Sequence, residues 1–492
     1  MDPRNVIVTF PELLLWFPLL SGLIVLLLNK GDKAKNWSLV FSVITLTISV
    51  VSFMFTDAKW RPLNQVSYFW LPQIGSSFAL MLDGAGRILC FLTAFAYPVI
   101  FLTTYKTKYK NPNIFYGLML LTQSGLIGVF CAMDALVFYF FWELALVPVY
   151  FLASIWGGEK RIQATWKFFI YTFTGSLLLL VGIIYVYLHT TNSTFSLFSF
   201  YNAHLTAAEQ NGIFWLFFVA FAIKMPIFPF HTWQPDTYEQ SPSAVTMVLS
   251  GIMVKMGVFG LIRWLVPVLP LAVKHFDHVV IGLSVVGMIY ASCIAIVQDD
   301  LKRLVAYSSI AHIGLMCAAV FSNSESGIQG VLIQMFNHGI NIIGIWVVVE
   351  MIERQLGTRK ISMLGGLAQK SPVLATLLVI VALANIALPL TNAFVGEFLI
   401  FNGLFKFSGW YTALAAISII LAAVYTLNMI QKVFYGETNS ITVSAKDIGA
   451  NEAIMLSVIV VAIFVVGVFP KPFFELSNDT VINFLSKLSG GK

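Results

Sequence analysis

Residues 218–233 read FVAFAIKMPIFPFHTW, and residues 380–398 read IVALANIALPLTNAFVGEF. Both are apolar runs interrupted by proline, at Pro226 and Pro229 in the first and at Pro389 in the second. Proline deletes a backbone donor and kinks a helix. Within a membrane such a break is tolerated only where the freed backbone is buried in protein or lines a wet cavity. The two stretches also resemble each other, VAFAIKMP beside VALANIALP. Paired broken helices in matching places point to an ion site in a transporter. They predict a helical membrane protein built on an internal repeat, with its functional residues beside the breaks.

The remainder of the chain agrees. Of 492 residues, 58% are hydrophobic and 11% charged, whereas soluble domains are roughly a quarter charged. Apolar runs recur from end to end and predict an all-α polytopic membrane protein of about 14 transmembrane helices. The breaks then fall in span 7 (211–238) and span 12 (371–404). Their offset of five spans is odd, so the two five-helix repeats must be inverted in the membrane. The predicted organisation is 1–112 for spans 1–3, 113–266 for the first repeat, 267–435 for the second, and 436–492 for span 14 and a tail. Residues 57–82 are not a span. Their stretch VSYFWLPQIGSSFALML has β-prone runs around a Pro/Gly turn and predicts a small hairpin on the outer face. No small-residue cleavage site follows the first apolar run, which is expected to remain as span 1.

The net charge of +6 lies in short loops and reads as topology, not as a nucleic-acid surface. Lys30, Lys33 and Lys35, Lys106, Lys108 and Lys110, Lys160, Arg161 and Lys167, Lys302 and Arg303, Arg354, Arg359, Lys360 and Lys370, and Lys432 and Lys446 all fall in one alternating set of connections or at its edges. That set holds about 17 basic residues against about 9 in the other, so it should be cytoplasmic, with both termini outside. Residues 236–241 fit poorly, because Asp236 and Glu239 stand there without a Lys or Arg.

The four cysteines, Cys90, Cys131, Cys293 and Cys317, sit far apart in apolar segments. Their spacing argues against a disulfide framework or an iron–sulfur cluster and for small buried hydrophobes. No phosphate loop, nucleophile elbow or metal-ligand pair is present. No redox cofactor is expected in this chain.

Four charges lie where a membrane makes them expensive. Glu143 is about ten residues into span 5, roughly 15 Å deep at 1.5 Å per residue. Lys224 precedes the first proline of span 7, Lys255 is midway along span 8, and Glu397 follows the break in span 12. Each costs at least about 2.5–3.5 kcal/mol on insertion scales. Burial disfavours the charged form of such a group and an opposite charge restores it. A lysine that gains and loses a glutamate partner can therefore take up and release protons. The rival reading is a static salt bridge that orients helices. His231, His312 and His338 lie in spans 7, 10 and 11 and are of a type that titrates near about 6.5 in water. They fit a relay, although a lone histidine is more often structural. Asp83 and Arg87 are four apart and expected to pair. Asp134 starts span 5 at the interface, and Arg263 is expected to snorkel outward.

Four stretches now carry a resemblance: FYFFWELALVPVYFL around Glu143, TWKFFIYT at 165–172, IKMPIFPFHTWQPDTYEQSPSA around Lys224, and QDDLKRLVAYSSIAHIGLM at 298–316, with MLGGL at 363–367 added. They resemble the antiporter-like subunits shared by respiratory complex I (NADH-quinone oxidoreductase) and the Mrp sodium/proton antiporters. The resemblance implies a core of 14 helices with two inverted repeats. It implies that Glu143 and Lys224 form a gating pair, that Lys255 is the central lysine, and that Glu397 is the terminal charge. It places His231, His312 and His338 on the central polar axis. A glutamate at the terminal position favours the M-type branch, since the L- and N-type branches and the Mrp relatives typically carry lysine there. The implied setting is a bacterial cytoplasmic membrane beside L- and N-type neighbours, with NAD, FMN, iron–sulfur clusters and quinone in other subunits. The family often has Gly-Leu-Pro-Gly at the second break, where this chain has ALPLTN; a stiffer break is expected. The alternatives are an Mrp-type antiporter subunit, a structural scaffold, and an independent solute carrier, which would need a substrate-sized polar cavity.

Overall fold

The computed structural model describes residues 8–28, 31–56 and 62–489. Lys30 of the basic set lies outside the described residues, as do residues 57–61 of the segment read as a hairpin. The chain is nearly all helix. Helices α1 (Phe10–Leu26) and α2 (Gly31–Ser52) precede a hairpin of β1 (Gln65–Leu71) and β2 (Ser76–Met81). Then follow α3 (Gly84–Thr103), α4 (Pro112–Cys131), α5 (Ala135–Trp156), α6 (Arg161–Leu188), the short α7 (Leu197–Tyr201) and α8 (Ala207–Lys224). After α9 (Trp233–Gln240) come α10 (Ser243–Val248) and α11 (Lys255–Gly260), which belong to one apolar rod, Ser243–Leu265. The second half holds α12 (Pro270–Ile296), α13 (Leu301–Phe321), α14 (Glu325–Leu356), α15 (Leu367–Lys370), α16 (Pro372–Asn385), α17 (Asn392–Phe407), α18 (Gly409–Phe434), α19 (Ala450–Val468) and α20 (Lys471–Ser489).

Among the described residues, 11 helices are long and apolar enough to cross a membrane, and α1 and α16 are shorter apolar helices. Hydrophobicity alone does not say which of them face lipid. The rod Ser243–Leu265 and the central part of α14 are 100% buried inside the protein, whereas the corresponding part of α2 is 28% buried. A helix apolar on all sides and buried on all sides is a core element. The rod and α14 are therefore the axis around which the other helices pack.

The hairpin lies at the end of the bundle where α3 and α5 begin. It pairs Gln65 with Met81 and Tyr68 with Phe78, with an irregularity between Phe69 and Leu71. Gly75 closes the turn at φ 68°, and a Cβ there would meet the Ser193 carbonyl at 2.2 Å. Asp134 ties the hairpin to the bundle. Its carboxylate accepts from the Ser76 hydroxyl and the Ser77 amide, both at 3.0 Å, and caps α5 through Leu136 and Val137. The C-terminal tail of the sequence reading contains α20, which packs on α3 and α14. It approaches so closely that a Cβ on Gly84 would lie 1.8 Å from the Leu476 carbonyl oxygen.

The helix breaks form where the prolines predict them. Between α8 and α9 the chain turns through Pro226 and Pro229, and the Ile227 amide reaches back to the Ala222 carbonyl at 3.1 Å. The Ile223 carbonyl takes the Trp233 indole N–H at 3.0 Å. Between α16 and α17 the Leu388 amide reaches the Leu383 carbonyl at 3.1 Å. Here Ala387 and Leu390 take φ of 58° and 73°. These are the two places where the related motif has glycine. The backbone adopts the left-handed geometry without glycine, at a cost of about 1–2 kcal/mol per residue.

Three expectations are corrected. Asp83 does not pair with Arg87: its carboxylate forms an ion pair with Arg263. Arg87 instead donates to the Ser52 carbonyl, to Asn64 Oδ1 at 3.0 Å and to the Leu82 carbonyl at 3.3 Å. Arg263 does not snorkel; it is buried, because a carboxylate within the protein offers more than the interface does. The cysteines are not all isolated buried hydrophobes either. Cys90 and Cys131 bring their sulfurs within 3.5 Å, and Cys293 is exposed.

Candidate functional site

The rod Ser243–Leu265 is not regular α-helix. A π turn spans Leu249–Met253, and the Val254 amide bonds the Leu249 carbonyl at 3.2 Å. The Ser250 carbonyl is thereby relieved of its usual helical partner. The Lys255 ammonium takes it at 2.7 Å. Lys255 is fully buried, and its Nζ also lies 2.8 Å from Nδ1 of His338 on α14. A one-residue slip in the helix thus supplies the polar anchor for a lysine that water cannot reach from the surface.

From His338 the polar groups continue. Its ring lies 5.5 Å from that of His312 on α13, centroid to centroid. Nδ1 of His312 is 3.4 Å from Glu397 Oε1 on α17, and Gln334 Nε2 donates to the same oxygen at 3.2 Å. On the other side of the imidazole, Nε2 lies 3.3 Å from Asn385 Nδ2. Lys255, His338, His312 and Glu397, drawn from four separate helices, form one file through the core. All four are buried.

The other three predicted residues stand apart from this file. Glu143 on α5 is half-buried and accepts a hydrogen bond from Ser176 on α6. Lys224 is buried at the C-terminal end of α8, with its Nζ 5.3 Å from the centre of the Trp142 ring and no protein hydrogen-bond partner. No ion pair joins Lys224 to Glu143, so the expected pair is open in this structure, with Ser176 holding the glutamate. His231 sits in the first break, packed against Phe228 and Tyr290 with ring centres 5.9 and 5.3 Å away.

At the end opposite the hairpin, the loops are laced by charge. Arg303 binds Asp236 at 3.0 Å and Glu239 at 2.9 Å, and Lys167 reaches Asp236 at 2.7 Å. Arg359 binds Asp300 at 2.5 Å and Glu353 at 2.8 Å, and Lys302 also binds Glu353, at 3.0 Å. Burial works against the Arg359 charge, but Asp300 outweighs it and the guanidinium pKa is raised above the ordinary value. The misfit of residues 236–241 is thereby explained. Their carboxylates answer basic residues of neighbouring segments, so the acidic loop belongs at the same end as the basic ones.

Ser176, Gln334 and Asn385 were missed by the sequence reading. Asn385 left a signal, being the one amide in the run VALANIALP. Ser176 and Gln334 left none, because their partners lie 33 and 63 residues away.

A bundle of apolar helices with ionisable groups strung through its centre is the architecture of ion-translocating membrane proteins. Comparison with known proteins makes the assignment specific: the chain belongs to the NADH:quinone oxidoreductase/Mrp antiporter transmembrane family, which it matches over residues 132–423. It is 37% identical to NADH-quinone oxidoreductase subunit M of Rickettsia typhi over 96% of this chain and 98% of that protein. With subunit M of Escherichia coli strain K12 it shares 32% identity, over 92% and 93% of the two chains. A chain of respiratory complex I from Thermus thermophilus with bound NADH has the same fold, with a TM-score of 0.90 and 30% identity, covering 97% of this chain and 99% of that one.

Proposed function

We propose that the chain is the M-type proton-translocating membrane subunit of a bacterial NADH-quinone oxidoreductase. Electron transfer from NADH to quinone in other subunits drives it, and NAD, FMN, iron–sulfur clusters and quinone bind there. The observation that carries this reading is the buried file Lys255–His338–His312–Glu397, each member able to hold or pass a proton. Protons enter from the cytoplasm towards Lys224, pass Lys255, and leave outward near Glu397. Movement of Glu143 from Ser176 to Lys224 and back would set the lysine's hold on its proton, and His231 would line the path at the first break.

In this reading the chain makes 14 spans. The 11 long helices are joined by α1, by α8 with α9, and by α16 with α17, the last two being the broken spans 7 and 12. Residues 113–266 and 267–435 form the inverted repeats, flanked by 1–112 and 436–492. The charge-laced end faces the cytoplasm, and the hairpin and both termini face outward across the cytoplasmic membrane. L- and N-type subunits are its neighbours. The family also includes Mrp antiporters, and a glutamate at 397 where those relatives typically carry lysine favours the redox-driven complex.

The test is NADH-driven proton pumping in membranes carrying Glu143→Gln, with assembly followed in parallel. An assembled complex that loses pumping supports the reading. Unchanged pumping per electron makes Glu143 structural and the mechanism wrong. If no NADH-linked activity depends on this chain, the antiporter reading takes its place.

A further inference from the structure

Asn385 closes α16 at the second helix break and is buried. Its Nδ2 faces two acceptors at once: Nε2 of His312 at 3.3 Å and the Ser308 hydroxyl oxygen at 3.4 Å. Ser308 in turn lies 2.9 Å from the Tyr425 hydroxyl on α18. On the opposite edge of the imidazole, Glu397 lies 3.4 Å from Nδ1. A carboxylate only accepts, so it favours the hydrogen on Nδ1 and leaves Nε2 as the lone-pair nitrogen. The amide N–H of Asn385 fills that lone pair.

This arrangement suits neutral His312 alone. A proton arriving on Nε2 turns the nitrogen from acceptor to donor, and two donors then face each other. An amide resolves the conflict by rotating half a turn, which exchanges its NH2 for its oxygen. Asn385 Oδ1 then accepts from Nε2–H and from the Ser308 hydroxyl, while the Tyr425 hydroxyl donates to Ser308. Both hydroxyls can donate or accept, so the Ser308–Tyr425 bond can run in either direction. A buried network with two donor–acceptor orders is a two-state element.

We propose that Asn385 is a positioning residue whose amide reverses each time His312 is loaded with a proton, carrying Ser308 and Tyr425 with it. In the resting orientation it selects the Nδ1–H tautomer and directs the imidazole proton towards Glu397. Asn385 is the last residue of α16 and so stands at the break itself. This rests on the proton-translocating reading above.

Three substitutions separate this role from simple filling of space. Asn385→Ser keeps donor and acceptor capacity on one atom but leaves a void. Asn385→Asp and Asn385→Leu keep the volume; the first can only accept and the second can do neither. Each is compared with the unaltered protein for protons pumped per second in assembled complex. The expected order puts Asn385→Ser within about threefold of the unaltered protein, and Asn385→Asp and Asn385→Leu lower by about tenfold, the scale of one buried hydrogen bond. A space-filling role gives the reverse order. If Asn385→Asp pumps normally, or Asn385→Ser falls as far as Asn385→Leu, the inference is overturned. Should Asn385→Leu not assemble, Asn385→Asp against Asn385→Ser decides. Glu397→Gln in the same assay isolates the parent reading. If it pumps normally, the file is not the proton path and both conclusions fall. If it stops pumping while Asn385→Asp and Asn385→Leu do not, only the role of Asn385 falls.

Discussion

Nζ of Lys255 and Nδ1 of His338 are 2.8 Å apart. Two positive charges at that separation repel by about 6 kcal/mol even at an effective dielectric near 20. The pair therefore holds at most one excess proton between its two members. Lys255→Met, His338→Leu and the double substitution should each reduce NADH-driven pumping to the same level. The coupling between the two sites would then be as large as either single loss. Losses that simply add would mean that the lysine and the histidine act separately.

Glu143 is held by Ser176, not by Lys224. Removing the hydroxyl frees the carboxylate to move to the unpartnered ammonium. Ser176→Ala should leave assembly intact and slow pumping by about tenfold, the effect of roughly 1.4 kcal/mol in favour of the closed pair. Ser176→Thr, which keeps the donor, should behave as the unaltered protein. Equal behaviour of the two variants would remove Ser176 from the gate.

The Asp83–Arg263 pair is structural. Its arginine is buried and its aspartate partly exposed. Asp83→Asn leaves the guanidinium without a counter-charge and should destabilise the subunit by roughly 3 kcal/mol. The measurement is the yield and thermal midpoint of assembled complex. Adding Arg263→Met should recover much of the loss. A double variant as unstable as the single one would show that the charge of Arg263 is not the cause.

Ala387 has φ of 58° and is the last residue before LPL at the second break. Glycine adopts that conformation without strain, and its extra freedom in the unfolded chain offsets part of the gain. Ala387→Gly should raise stability by up to about 1 kcal/mol, and Ala387→Val should lower it by at least that amount. Both are read from the thermal midpoint. A destabilising glycine would mean that this break needs the stiffness of alanine.

The sequence announces what depends on local composition. Proline in an apolar run marks both breaks, and a charge in an apolar run marks Glu143, Lys224, Lys255 and Glu397. It is silent where partners meet only after folding. Asp83 looks like the natural mate of Arg87, four residues on, yet it binds Arg263, 180 residues on. The acidic loop at 236–241 contradicts a count of charges until Arg303 and Arg359 are seen beside it. The anchor of Lys255 is a backbone carbonyl exposed by a π turn, and no residue type encodes that by itself.

The distance along the chain between Lys255 and His338 is 83 residues. A ribosome adding about 5–20 residues per second needs roughly 4–17 s to bridge it. For that interval Lys255 has been made, while the histidine that will meet it has not. A lone lysine at the centre of a helix weighs about 2.5–3.5 kcal/mol against insertion. The rod carries that cost until α14 arrives. The groups that serve the finished protein as a proton file are, during its synthesis, a cost that one central helix carries until the other arrives.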